Sequence, residues 1–193
     1  LAVLPFENNS ITDPERYAPL GRGLAAMLIT DLKNAGTSLR LIERSKIAAL
    51  LKEIALSQSG SVDEATAVRA GRLLGAQSIS FGSFVVLGDA VRIDTRIVKV
   101  ETGELIMAES IEGGSDAFIG LERQLAQKIA ASLKVALSPG GAGKSSMEAA
   151  LFFSQGLDAL DRGDKAKARQ LFQQAIQADP SYKAQVANVQ GLN

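Results

Sequence analysis

Residues 21–60, GRGLAAMLITDLKNAGTSLRLIERSKIAALLKEIALSQSG, and their continuation at 63–82, DEATAVRAGRLLGAQSISFG, decide how this chain folds. Leu20, Leu24, Met27, Leu28 and Leu32 recur with helical period, with Pro19 near the first turn and Gly36 as the stop. Leu39–Glu43 alternates as a strand does, and Ser45 is placed to cap a second helix whose apolar face is Ile47, Leu50, Leu51 and Ile54. Asp63 caps a third helix carrying Ala67, Ala70, Leu73 and Leu74, and Gly75 ends it. Ile79–Leu87 follows as a strand in which Gly82 marks a bulge or a close approach of another backbone.

Outward from this stretch, Leu1–Phe6 is a short strand stopped by Pro5 and the Asn8-Asn9 pair. Gly88-Asp89 signals a tight turn. Beyond it Val91, Ile93, Thr95 and Ile97 alternate with Arg92, Asp94 and Arg96, one set toward a core and the other toward water. Glu101-Thr102-Gly103 turns the chain into Leu105–Ile111, Gly113-Gly114 closes the meander, and a helix is expected over Phe118–Leu137. The expected fold is α/β (α+β), a mixed sheet with helices in the order β-α-β-α-α-β-β-β-α, over residues 1–137.

Residues 138–146, SPGGAGKSS, form a small-residue linker. Behind it, Phe152, Gly156, Ala159, Ala168, Phe172, Ala175 and Pro180 fall at the offsets of a tetratricopeptide repeat, so 147–193 resembles one such helix pair, a truncated array or a capping unit. Ala159 replaces the usual aromatic and Gln155 the usual apolar residue. A single pair cannot bury both faces, so Phe152, Phe153, Leu157, Leu160 and Phe172 are expected to need a neighbour. Further repeats, the last helix of the main domain or a second copy of the chain are the candidates.

The 193 residues are 46% apolar and 22% charged, with 21 basic and 21 acidic side chains, so no bulk field draws nucleic acid or anionic lipid. Histidine and cysteine are both absent, which removes imidazole bases, thiol nucleophiles, imidazole or thiolate metal sites and disulfides. No cofactor, metal or catalytic residue is expected, and the chain is read as a non-enzyme. It opens inside a strand without an initiator Met, as a chain from which a leader has been trimmed would.

Gly21, Gly23 and Ala26 satisfy the loose dinucleotide pattern, with Glu43 near the ribose-carboxylate position. The pattern requires its glycines directly after a strand, whereas here the loop from Glu7 to Pro19 intervenes, so glycines easing the helix onto the sheet are the better account. Gly143-Lys144-Ser145 imitates the end of a phosphate loop but follows a helix and has Ser138 in place of the first glycine. Asp13 with Glu15, and Asp63 with Glu64, sit where capping acids are ordinarily found. Arg92, Asp94 and Arg96 form a solvated charged face, with partner docking at Arg92 and Arg96 as the alternative.

LAVLPFEN, YAPLGRGLAAMLITDL, LRLIERSKIAALLKE, AGRLLGAQSISFGS and VRIDTRIVKVETGEL together resemble the CsgG family of curli-secretion lipoproteins and its FlgO-like flagellar relatives. The resemblance implies an envelope protein of a diderm bacterium, lipid-anchored to the outer membrane and facing the periplasm. It also implies a core like the N-terminal domain of TolB and the peptidoglycan-synthase activator lipoproteins. The curli channel's long barrel-forming hairpins are missing, since Leu87–Ala90 is a tight turn and Gly113–Asp116 leads straight to a helix. The expected function is therefore a periplasmic scaffold acting through protein partners, with homo-oligomers possible and membrane association through the lipid alone. The alternatives are a nucleotide-binding sensor or enzyme at Gly21–Ala26 and a ring-forming secretion component.

Overall fold

A computed structural model describes residues 1–34, 39–53, 63–135, 147–189 and 191–192. Gly36, Ile54, the 138–146 linker and its Gly143-Lys144-Ser145 lie outside the described residues. In chain order the elements are β1 (Ala2–Val3), β2 (Glu7–Asn8), α1 (Pro14–Tyr17), α2 (Leu20–Asn34), α3 (Arg44–Glu53), α4 (Glu64–Leu73) and β3 (Ser78–Leu87). They continue as β4 (Ala90–Lys99), β5 (Leu105–Gly114), α5 (Phe118–Ser132), α6 (Met147–Asp161), α7 (Lys165–Ala178) and α8 (Tyr182–Ala187). The chain is a mixed α/β fold.

The sheet runs β1-β3-β4-β5, with β2 also on β3. β1 and β2 both pair parallel to β3 and are two pieces of one interrupted strand. Leu4 still donates to the Ser80 carbonyl, but Pro5 has no N–H and the Phe6 amide turns away to the Gly21 carbonyl (3.1 Å). β3, β4 and β5 form an antiparallel meander. In the two-residue turn, Gly88 at the first central position has φ 57° and Asp89 has no positive φ, the pattern of a type II′ hairpin.

Three sequence expectations fail here. Leu39–Glu43 is extended but not a strand: Leu1 bonds Arg40 O and Ile42 N, one bridge on the outer edge of β1, before the chain turns into α3. The helix expected to Leu137 stops at Ser132, because Lys134 adopts φ 56° and Val135 N closes onto Ala130 O, a Schellman stop without glycine. Gly75 (φ 64°) ends α4 with the same bond pattern, as expected. Asp63 caps α4 through Thr66 N (2.8 Å), whereas α3 is opened by the Glu43 carbonyl, with Ser45 already inside the helix.

Val91, Ile93, Thr95 and Ile97 are buried while Arg92 and Arg96 are exposed, as the alternation requires. The buried Thr95 hydroxyl is satisfied by the Phe81 carbonyl and lies 3.3 Å from Ser80 Oγ. α5 packs where Leu121 fills the space over Gly113, and α4 where Val100 and Ile79 fill the space over Gly71. Gly113 pairs with Val91 and Ile79 with Val98, whose side chains point to opposite faces, so the two helices cover opposite sides of the sheet. Leu73, expected in the core, is instead 56% exposed at the end of α4. α2 packs against β1, β2, α3, α5 and α6, which is why its apolar residues run nearly round the helix.

Candidate interaction groove

Pro5 and the bond from Phe6 to Gly21 leave a channel beside the C-terminal end of β1. Its apolar wall is Val3, Leu4 and Phe6 on one side and Ile47, Ala48 and Leu51 of α3 on the other, enclosing about 960 Å³. The rim is charged. Arg22 on α2 pairs with Asp158 on α6, and Arg44 on α3 reaches both carboxylate oxygens of Asp161 at 2.8 Å. Lys52 adds a bond to the Asp161 carbonyl at 3.3 Å. The groove is thus built jointly by the sheet, two of its helices and the end of α6. An apolar channel with a polar rim is the general form of a ligand or peptide site.

The glycines of the nucleotide-like pattern do other work. A side chain at Gly21 would strike the Phe6 carbonyl, and one at Gly23 would strike Ser154 of α6. The amides of Arg22 and Gly23 bond the Pro19 carbonyl rather than facing an open cradle. Glu43 pairs with Lys33 at 3.2 Å. The structure therefore spends Gly21 on a helix–strand approach and Gly23 on a helix–helix approach.

Phe153, Leu157 and Phe172 are buried within the chain, and Phe152 and Leu160 are half-buried. The neighbour that these residues were expected to need lies within the chain: it is chiefly α2, brought close at Gly23, with the last helix of the α/β segment, α5, touching α6 to a smaller extent. Phe153 stacks tilted against Phe172 (5.7 Å) and Tyr182 (5.5 Å), and Gly156 admits the Phe172 ring between α6 and α7. Leu160 stays at the margin of this cluster.

Arg92 and Arg96 lie on the part of the sheet face that α4 leaves open, over a shallow depression of about 530 Å³ shared with Glu7, Ser83 and Ser110. Arg92 is held by both oxygens of Asp94 and by Glu112, and these hydrogen bonds raise its pKa while lowering that of Asp94. Arg96 stands opposite Phe81 and Ala108 in register.

One cluster escaped the sequence reading. Gln185 of α8 donates to Asp31 of α2 at 2.8 Å, and the buried carboxyl of Glu122 on α5 lies near enough to Asp31 for each to act on the other's ionisation. Arg123 approaches Asp31 at 3.8 Å. Burial, and then the Asp31 charge, push the Glu122 carboxyl well above the usual range; burial also raises Asp31. The signal was present: Glu122 lies four residues after Phe118, and Asp31 four after Met27, each on an apolar stripe.

With this geometry in place, the chain can be compared with known proteins. Residues 2–90 match the family of the curli production assembly/transport component CsgG. The match is a little under half of the chain and runs from β1 to the start of β4. It takes in every groove residue except those of α6 and its end. No curated protein sequence matches the chain. Among solved structures, the C-terminal domain of LpoB from Salmonella enterica is 20% identical with a TM-score of 0.41, over 58% of this chain and 80% of that one. Lipoprotein GNA1162 from Neisseria meningitidis is 16% identical with a TM-score of 0.46, over 69% of this chain and 96% of that one. A PelC dodecamer from Paraburkholderia phytofirmans is 16% identical with a TM-score of 0.41, over 68% and 85%.

Proposed function

We propose that this chain is a CsgG-family scaffold of the bacterial envelope, acting in the periplasm by binding protein partners and held at the outer membrane by an N-terminal lipid. The observation that carries the reading is the coincidence of the CsgG match with the groove: residues 3–52 build its apolar walls and lie wholly inside the matched stretch. The groove is apolar at its base, and its nearest charges are tied into Arg22–Asp158 and Arg44–Asp161 pairs, an arrangement suited to holding a peptide rather than to acid–base chemistry. We divide the chain into an α/β segment (1–137), a linker (138–146) and a tetratricopeptide-like segment (147–193). Supporting the last are the Gly156–Phe172 contact, the buried Ala168 and Ala175, and Pro180 just after α7. In this reading the helical segment docks on α2 and completes the groove rim.

A photo-crosslinking residue at Ala48, inside the groove, tests this in cells, with Arg72 on the exposed side of α4 as the control. Adducts of defined mass in the envelope fraction from Ala48 alone are expected, and an adduct of twice the chain mass would identify the partner as a second copy. Equal labelling from both positions, or recovery of the protein in the cytosol, refutes the proposal.

A further inference from the structure

β1 is the edge strand of the sheet, and the groove runs along its outer side. Val3 stands in register with Ser80, and Leu4 donates to the Ser80 carbonyl at 2.9 Å. In a parallel pair this arrangement turns the N–H and C=O of Val3 away from β3. The period of two agrees: Leu1, two residues earlier, directs its own groups outward, donating to the Arg40 carbonyl and accepting from the Ile42 amide. The chain's own pairing on this edge ends there, since the Glu43 carbonyl opens α3 and carries the backbone away. α3 does not close the space beyond. Ile47 is the one buried residue of Arg44–Glu53, and Ala48 and Leu51 stand across the groove from Val3 and Leu4. Val3 is 1% exposed, so its outward main-chain groups point into an apolar slot where a hydrogen-bonding partner is worth most.

The rim is charged unevenly. Arg22 and Arg44 are paired with Asp158 and Asp161, whereas Lys52 bonds a main-chain carbonyl and Arg162 follows beside it, both exposed. Among the described residues these two cations stand outside the ion pairs, at the end of the groove where α3 meets the end of α6. We propose that the partner enters this groove as an extended polypeptide segment that adds a strand to the outer edge of β1, accepting from Val3 N–H and donating to Val3 C=O. Alternate apolar side chains of that segment pack against Ile47 and Leu51, and a carboxylate of the segment meets Lys52 and Arg162. This deepens the groove reading and rests on it. A helical ligand satisfies its own backbone and would leave the Val3 groups unmet. The added strand is short, because Pro5 offers no N–H and the Phe6 amide is spent on the Gly21 carbonyl.

The probe is a random heptapeptide library displayed on phage and panned on the purified chain. Enriched sequences should carry apolar residues at every second position and an acid near one end. Lys52→Glu combined with Arg162→Glu should turn that preference toward a base. In the strongest peptide, methylating one backbone amide at a time should weaken binding roughly tenfold at alternate positions, as a strand ladder requires. Val3→Pro removes the outward N–H at an edge position where proline is tolerated, and should abolish binding with circular dichroism unchanged. If that variant fails to fold, the methylated peptides decide, since they leave the protein untouched. Peptides with helical spacing, or whose affinity no single methylation lowers, overturn strand addition while leaving the groove as the partner site. Absence of any enrichment, or binding that survives Ala48→Trp, which fills the groove, overturns it as well. The Ala48 crosslinks in cells test the groove reading separately.

Discussion

Replacing Phe153 with Ala probes the joint between the sheet and the C-terminal helices. The ring is 1% exposed and meets Phe172 and Tyr182 at 5.7 and 5.5 Å. Truncating a buried Phe costs about 3–5 kcal/mol, including the cavity left behind. Each lost aromatic pair contributes about 0.5–1.5 kcal/mol of that beyond area alone. Against a total of about 5–15 kcal/mol for a domain, the variant should lose a large fraction of its stability. Its urea midpoint should fall while the slope stays constant. The chain has no tryptophan and only two tyrosines, Tyr17 and Tyr182, so a Tyr17→Phe background makes tyrosine fluorescence a reporter of α8, while circular dichroism reports the whole chain. If α6 is a core layer on α2, both signals move together in one transition. Separate transitions, with the one from the α/β segment unmoved, would refute that reasoning and make 147–193 an independent appendage.

Gly23→Leu should destabilise by about 1–3 kcal/mol in urea melts, because its side chain is driven into Ser154. Gly120→Ala on α5, whose new methyl meets nothing within 4 Å, should instead be neutral or stabilising by about 0.5–1 kcal/mol. Gly82→Val should lower the thermal midpoint more than Gly23→Leu does, since the obstacle is the Asp94 carbonyl and backbone cannot rotate away. Asp63 has a pKa lowered by its bonds to Thr66, so its cap is present above the unfolded value of about 3.9 and is lost as pH falls through the lower folded value. Faster exchange of the Thr66 amide on acidification, absent from Asp63→Ala, checks the sign.

Local signals decided the elements correctly where one residue type had one job. The Asp63 cap, the Gly75 stop, the Gly88 turn and the alternation through β4 each need only their immediate neighbours. They failed where a neighbour distant in sequence took over. Leu39–Glu43 had strand character but found a single bridging residue, Leu1, before α3 drew the chain away. Lys134 ended α5 with a left-handed turn that a lysine does not advertise. The groove was invisible because its walls come from β1, α2, α3 and α6 and no motif spans them. Asp31 and Glu122 were visible only as acids out of place on apolar stripes.

From sequence alone came the mixed α/β class, the meander, a helix pair within 147–193 and the resemblance to the CsgG family that the match over 2–90 supports. These follow from periodicity and caps, which act over a few residues. Tertiary structure alone decided what covers Phe153 and Phe172, why Gly21 and Gly23 are glycines, and that Gln185 meets Asp31. The reason is that a glycine, an aromatic ring or a carboxylate acquires its role from the group it meets. Those meetings, Gly21 with Phe6, Gly23 with Ser154 and Asp31 with Gln185, exist only once the chain has folded back on itself.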